Sequence, residues 1–214
     1  MPKGSKELTK SRREEIINAC EFLYKTKSFK DITIKGIGRI TSFTRTSIYN
    51  YFETKEEIFL ALFEREYEYW ISDLKNIFEK YEVLDNDRLA DKLASSLQDR
   101  KQLLKLLSMN LYDMEANSRI ELLTSFKVSF GNSMKMFAKI LEKFCKYMTS
   151  QDIQDFIYIF FPFIYGIYPY SIVTDKQKEA MKNANLDFFY QTIYEISYRC
   201  LIKLFTIYDK KEKI

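Results

Sequence analysis

The chain has no histidine, and glycine (5), proline (3), cysteine (3) and tryptophan (1) are scarce among its 214 residues. Without histidine, the commonest general base and the commonest metal ligand are missing. Ser-His-Asp and Cys-His catalysis cannot arise within this chain alone, nor can a histidine-ligated zinc site. Cys20, Cys145 and Cys200 are far apart and odd in number, so they write neither a disulfide framework nor a C-x-x-C site. They are expected to be buried, reduced thiols of a cytoplasmic protein. Few glycines and prolines argue against a many-stranded β fold and for long helices with few interruptions. No glycine-rich phosphate loop and no metal-ligand spacing occur. The carboxylate pairs Asp113/Glu115 and Asp152/Asp155 read as charged helix faces. No cofactor, no metal and no enzymatic activity are therefore expected.

What is present is apolar and basic. A hydrophobic fraction of 46% excludes a disordered chain. The net charge of +4 is unevenly spread. Residues 1–55 carry 12 Lys/Arg against 6 Asp/Glu, a net of +6, and the rest carries a net of −2. A basic head on a slightly acidic body fits a polyanion-binding module joined to something else. The opening Met1 to Glu7 has no apolar run after its charges and is not expected to act as a secretory leader. Phe156 to Val173 is 18 residues without a charge, at the lower limit for a membrane span. It holds Pro162, Gly166, Pro169 and four tyrosines, so a buried, kinked core helix is expected and no membrane partner.

Capping signals divide the chain into helices. Ser11-x-x-Glu14 is a capping box ahead of an apolar face of Ile16, Ile17, Cys20, Phe22, Leu23 and Tyr24. That helix is expected to end between Lys25 and Ser28. Thr33 is an N-cap candidate for a short helix with Ile34, Ile37 and Ile40. Thr41-Ser42-Phe43 breaks it, and Thr44 caps a third helix whose inward residues are Ile48 and Phe52. Thr54-x-x-Glu57 caps a long amphipathic helix reaching about Tyr81. Further helices are expected near 87–98, 100–112, 118–147, 150–173 and 186–208, with 174–185 as loop. The fold class is all-α. Residues 1–53 are expected to form a helix-turn-helix head, and 54–214 a larger helical body.

The head's outward side chains suit DNA. Arg45 can pair with guanine O6/N7 and Asn50 with adenine N6/N7. Thr46 and Ser47 can bond base or phosphate, and Tyr49 and Tyr51 can reach phosphates. Thr33, Thr44 and Lys55 sit at helix starts, where free N–H groups favour an anion. Thr33-Ile-Lys-x-Ile37, Thr44-Arg-Thr-Ser-Ile-Tyr-Asn-Tyr-Phe52 and Lys55-Glu-Glu-Ile-Phe59 together resemble the DNA-binding domain of the tetracycline-repressor (TetR) family of transcriptional regulators. The resemblance covers residues 10–63. It implies DNA contacts at Thr33, Lys35, Thr44, Arg45, Thr46, Ser47, Tyr49, Asn50, Tyr51 and Lys55. Two positions depart from the family pattern. Glycine is usual where Ser42 stands, so a strained left-handed residue or a different turn is expected. Alanine is usual where Gly38 stands, at a cost of about 1 kcal/mol of helix propensity.

The body is dense in aromatics. The resemblance implies a ligand-responsive repressor that binds a palindromic operator in double-stranded DNA as a homodimer. A wall for a small apolar or aromatic effector is expected from Trp70, Phe126, Phe130, Met134, Phe137, Phe161 and Tyr165. A dimer interface is expected from Leu186, Phe189, Ile193, Ile196, Cys200, Leu204 and Ile207 on the last helix. The competing reading is a helical interaction protein or scaffold with a degenerate head.

Overall fold

A computed structural model describes residues 6–109 and 111–211, apart from the side chains of Arg45, Lys210 and Lys211. Every regular element among the described residues is helical. The chain divides into two compact units. One holds residues 1–65 and 110–129, the other 66–109 and 130–214. The sequence placed its boundary at 53/54, whereas these units divide inside two helices and assign a stretch near residue 120 to the head.

The first unit begins with α1 (Lys6–Thr26). It starts before the Ser11 capping box, because Lys6 to Lys10 contain no helix breaker. Its buried face is Ile16, Ile17, Ala19, Cys20, Leu23 and Tyr24. Phe22, expected on that face, is exposed. At 100° per residue it points away from the Ile16, Cys20 and Leu23 stripe. A 3-10 turn (Phe29–Asp31) leads to α2 (Ile34–Gly38). Thr33 caps α2 through Oγ1, which accepts the Gly36 N–H at 3.0 Å. The helix ends at Gly38, so the glycine penalty falls on its last residue. Ile40, expected on the α2 stripe, lies beyond the helix and is exposed. After the break come α3 (Arg45–Ile48) and α4 (Lys55–Lys80). Two further elements contribute: α7 (Leu111–Ala116) and the start of α8 (Ile120–Phe144). Ile37, Ile48, Phe52, Ile58, Phe59, Leu62 and Phe63 fill the core with the α1 face. Phe59 meets Tyr24 at 5.1 Å and Phe29 at 4.8 Å, both edge-to-face. Arg65 donates to Asn18 and Glu21, each at 2.6 Å, fixing α1 on the first turns of α4.

The second unit holds the rest of α4 and α8 together with α5 (Asn86–Asp99), α6 (Lys101–Leu107), α9 (Ser150–Ser171), α10 (Asp175–Asn183) and α11 (Ile193–Lys211). The expected 100–112 helix is interrupted after Leu107, where Ser108 caps α6. α11 packs on α5 and α9, and α6 packs on α9. α9 runs through Pro162 and Pro169, each removing one intrahelical bond. Both prolines are exposed, so water can take up the carbonyls they free. No single helix among the described residues is long and apolar enough to cross a membrane.

Two expectations here are corrected. Residues 174–185 are not a loop, because α10 forms there. It buries no residue, so no apolar periodicity announced it. Its ends make it: Thr174 and Gln177 form a reciprocal capping box. Asn185 (φ 51°) closes it, with the Leu186 N–H on the Met181 carbonyl and its own N–H on the Lys182 carbonyl, a Schellman pattern. In consequence the last helix starts at Ile193, not 186, and Leu186 and Phe189 lie in an exposed connector ahead of it.

Candidate nucleic-acid interface

α2 and α3 present Lys35, Thr46 and Ser47 toward solvent, while Ile37, Ile48 and Phe52 are buried. Thr44 caps α3 with its backbone, accepting the Ser47 N–H at 2.9 Å, and its Oγ1 lies 3.1 Å from Ser47 Oγ. Beyond Ile48 the chain continues as turns, with the Tyr51 and Phe52 N–H groups both on the Ile48 carbonyl. The helix expected over 44–52 is therefore one α-helical turn followed by looser winding. Thr33, Lys35, Thr44, Thr46, Tyr49 and Asn50 are exposed. Ser47, Tyr51 and Lys55 are half-buried. The backbone of Arg45 opens α3, and its side chain lies outside the described residues.

Thr33, Lys35, Tyr49 and Lys55 line one open hollow of about 460 Å³, floored by Ile32 and Ile34. Lys55 is held rather than loose. Its ammonium donates to the carbonyls of Phe29 at 3.1 Å and Ile32 at 3.4 Å, and sits 4.0 Å over the Phe29 ring. A third N–H of that ammonium is not used by these bonds. The Thr33 hydroxyl accepts from Gly36 and keeps its own proton for a further acceptor. The hollow thus gathers donors from three elements, which is what a phosphate oxygen needs. Tyr51 lies outside this hollow, half-buried, its ring 6.5 Å from that of Phe43.

The turn between α2 and α3 does not use a left-handed residue. Asn185 is the non-glycine residue with positive φ among the described residues, so Ser42 is not strained in that way. Glu15 of α1 accepts both the Ser42 N–H and, at 3.0 Å, the Ser42 hydroxyl. The Glu15 carboxylate thereby ties this turn to α1. Sequence reasoning missed Glu15, because it lies in a charged run with no local signature.

It also missed half of the Glu57 site. The Glu57 N–H donates to Thr54 Oγ1 at 3.2 Å, as the capping box requires. The Glu57 carboxylate, however, accepts from the Glu53 N–H at 2.7 Å and from Arg119 through its backbone N–H, Nε and Nη2, at 3.0, 2.7 and 2.8 Å. Glu57 is 1% exposed. Burial pushes its carboxyl up, but the Arg119 bonds, the two backbone N–H groups and the guanidinium charge outweigh burial, and its pKa lies below the ordinary value. No sequence pattern links residue 57 to residue 119.

In the second unit Trp70, Phe130, Phe137 and Phe161 come together. Trp70 lies 6.2 Å from Phe137 and 5.8 Å from Phe161, and Phe130 lies 6.0 Å from Phe161. Trp70 Nε1 donates to Ser96 at 3.1 Å. Tyr67 is fully buried, which pushes its phenol above the ordinary pKa, with a smaller contribution from Tyr165, and its ring lies 5.7 Å from that of Phe130. Two of the expected wall residues lie elsewhere. Phe126 belongs to the first unit, 4.9 Å from Phe63. Met134 lines an outer hollow of about 300 Å³ with Ile153, Ile157 and Tyr158. On α11, Ile193 and Leu204 face the core of their own chain, with Leu201 and Phe205. Ile196 and Cys200 are half-buried and Ile207 is exposed. Exposed apolar groups on α9 are Tyr158, Ile159 and Tyr170, and a Cβ on Gly166 would meet nothing within 4 Å. Burial raises the thiols of Cys145 and Cys200 to about 11 and that of Cys20 further, so all three stay protonated near neutrality.

The chain is 35% identical over 63 residues to an uncharacterized HTH-type transcriptional regulator, YfiR, of Bacillus subtilis (strain 168). That match covers 29% of this chain and spans about a third (31%) of the relative's length. Among solved structures, a transcriptional regulator from Cytophaga hutchinsonii superposes with a TM-score of 0.59 at 16% identity, covering 92% of this chain and 96% of its own. FadR from Bacillus subtilis, solved in complex with stearoyl-CoA, gives 0.57 at 16%, covering 90% and 96%. Thermus thermophilus FadR, a TetR-family repressor solved with lauroyl-CoA, gives 0.53 at 17%, covering 81% and 92%. At these identities the likeness is one of fold. Residues 64–192, more than half of the chain, match the family described as tetracyclin repressor-like, C-terminal domain. With a helix-turn-helix head ahead of that domain, the chain belongs to the TetR family of transcriptional regulators.

Proposed function

We propose that this regulator is a ligand-responsive repressor that binds a palindromic operator as a homodimer. The observation that carries the DNA contact is the hollow of Thr33, Lys35, Tyr49 and Lys55 beside the exposed Thr46 and Asn50. Phosphate contacts there set the register, and Arg45, Thr46, Ser47 and Asn50 read base edges. Thr44 and Tyr51 complete the contact surface. One such head reads too few base pairs, and a two-fold dimer reads two half-sites about one helical turn (~34 Å) or more apart. The exposed apolar groups of α9, with Ile196, Cys200 and Ile207 of α11, supply the face for a second copy.

The effector is an apolar molecule taken up in the second unit, beside Trp70, Phe130, Phe137, Phe161 and Tyr165. A long-chain acyl-CoA thioester is the class to try first, because two relatives in fold were solved with such molecules. It acts by binding the DNA-free state more tightly than the DNA-bound state, and only to the extent of that difference. Genome-wide footprinting of the purified protein tests the DNA reading. Protected sites of two-fold symmetry are expected, with affinity falling steeply as salt rises. Lys35→Ala with Arg45→Ala is expected to abolish protection. Absence of any protected sequence would leave the scaffold reading in its place. Titration with lauroyl- or stearoyl-CoA tests the effector, with release of the operator expected.

A further inference from the structure

The turn before α8 reaches back to the end of the recognition segment. Arg119 Nη2 donates to the Tyr51 carbonyl at 3.2 Å while Nη2 and Nε hold the two oxygens of Glu57. Next to it, the Thr54 hydroxyl donates to the Asn117 carbonyl at 2.9 Å. Arg119 also faces Glu53 at 3.5 Å. The Tyr51 carbonyl stands where a helical segment runs out, at the position where backbone acceptors lose their intrahelical donors. A guanidinium fork can satisfy that acceptor and a carboxylate at once in a fixed plane, and an ammonium cannot.

The contact is more than a local bond. Buried Ile48 and Phe52 set the inward face of the segment, but between Ile48 and Lys55 the backbone is only loosely wound, so the Arg119 bond adds a restraint on how far its end can turn. That angle decides which of Thr46, Ser47 and Asn50 points outward. Glu57 is the fixed point: it is buried, sits in the first turn of α4 and is gripped by four hydrogen bonds. Tying the Tyr51 carbonyl to it through Arg119 fixes the far end of the recognition segment. Glu15 fixes the near end through Ser42.

We propose that Arg119 is a positioning residue for DNA recognition, bridging the Tyr51 carbonyl and the Glu57 carboxylate so that the recognition segment is held at its reading angle. The proposal rests on the DNA-binding reading above, and its test has one arm free of DNA. In that arm, hydrogen exchange is measured in the parent, Arg119→Ala and Arg119→Lys. The amides of Asn50, Tyr51 and Phe52 are expected to exchange at least about tenfold faster in Arg119→Ala, with α1 amides unchanged. Uniform acceleration across the first unit, or none, overturns the proposal. In the second arm, duplexes selected by the parent from a random pool are compared with a scrambled duplex. Arg119→Ala is expected to lose about tenfold in affinity for the selected duplex, within the range of one lost base contact, and less than about twofold for the scrambled one. Arg119→Lys is expected to fall between. Equal losses on both duplexes, or full activity of Arg119→Lys, also overturn it. If Arg119→Ala does not fold, Arg119→Lys carries both arms, and the expected changes are smaller but in the same segment. A parent that selects no duplex defeats the DNA-binding reading alone, since exchange still decides whether Arg119 positions the segment.

Discussion

Replacing Ser42 with glycine asks whether the turn is strained. If Ser42 were held in a left-handed conformation, glycine would relieve it and stabilise the protein by about 1 kcal/mol or more. The structure implies the opposite sign. Ser42 has no positive φ, and its hydroxyl donates to Glu15 Oε2 at 3.0 Å. Ser42→Gly deletes that bond, worth about 0.5–1.5 kcal/mol for an exposed side chain on a carboxylate. It also adds unfolded-state freedom worth about 0.4–1 kcal/mol. The two act in the same direction, for a loss of about 1–2.5 kcal/mol. For a chain of this size that is a fall of about 2–10 °C in Tm. The backbone bond from the Ser42 N–H to Glu15 survives the substitution, so the turn should keep its shape and DNA affinity should fall only modestly. Glu15→Ala removes both bonds and should cost more. A double-mutant cycle with Ser42→Gly and Glu15→Ala, read by urea unfolding, should give a coupling of about 0.5 kcal/mol or more. A stabilised Ser42→Gly variant, or strict additivity in the cycle, would refute the reasoning.

Trp70→Ala should destabilise the chain by about 3–5 kcal/mol, since the indole is fully buried among Phe137 and Phe161 and bonds Ser96. The measurement is chemical denaturation followed by circular dichroism, and a loss under about 1 kcal/mol would count against a packed aromatic core. Glu57 titrates below its ordinary pKa when folded, so its contribution is present above the unfolded value and lost as pH falls through the folded one. Glu57→Gln should therefore flatten the decline of Tm on the acid side, most visibly below about pH 4.5. The three thiols should resist a maleimide at pH 7 in the folded protein and react on unfolding, because burial holds them protonated. Ile159→Glu with Ile207→Glu should give a folded monomer by sedimentation that no longer protects DNA, and a surviving dimer would move the interface elsewhere.

The sequence by itself determined the elements that follow from local rules. Thr33 and Thr44 announced α2 and α3, because a hydroxyl or an open carbonyl at a helix start acts within three residues. The spacing of Ile48 and Phe52 fixed which side of the recognition segment is buried. Tyr49-Asn-Tyr51-Phe52 ahead of the capped Lys55-Glu-Glu carried the resemblance to the family, and the long apolar stripes implied an all-helical chain. α10 escaped because its stability lies in caps and not in a buried face, and missing it carried Leu186 and Phe189 onto a helix that does not contain them. Tertiary structure alone decided the partners across sequence distance: Glu15 on Ser42, Arg119 on Glu57 and Tyr51, and Phe126 with Phe63 in the first unit rather than with Trp70. The reason is physical. Periodicity and capping are set by neighbours along the chain, whereas a long charged or aromatic side chain takes whichever partner the packed helices bring within reach, and no local pattern encodes that choice.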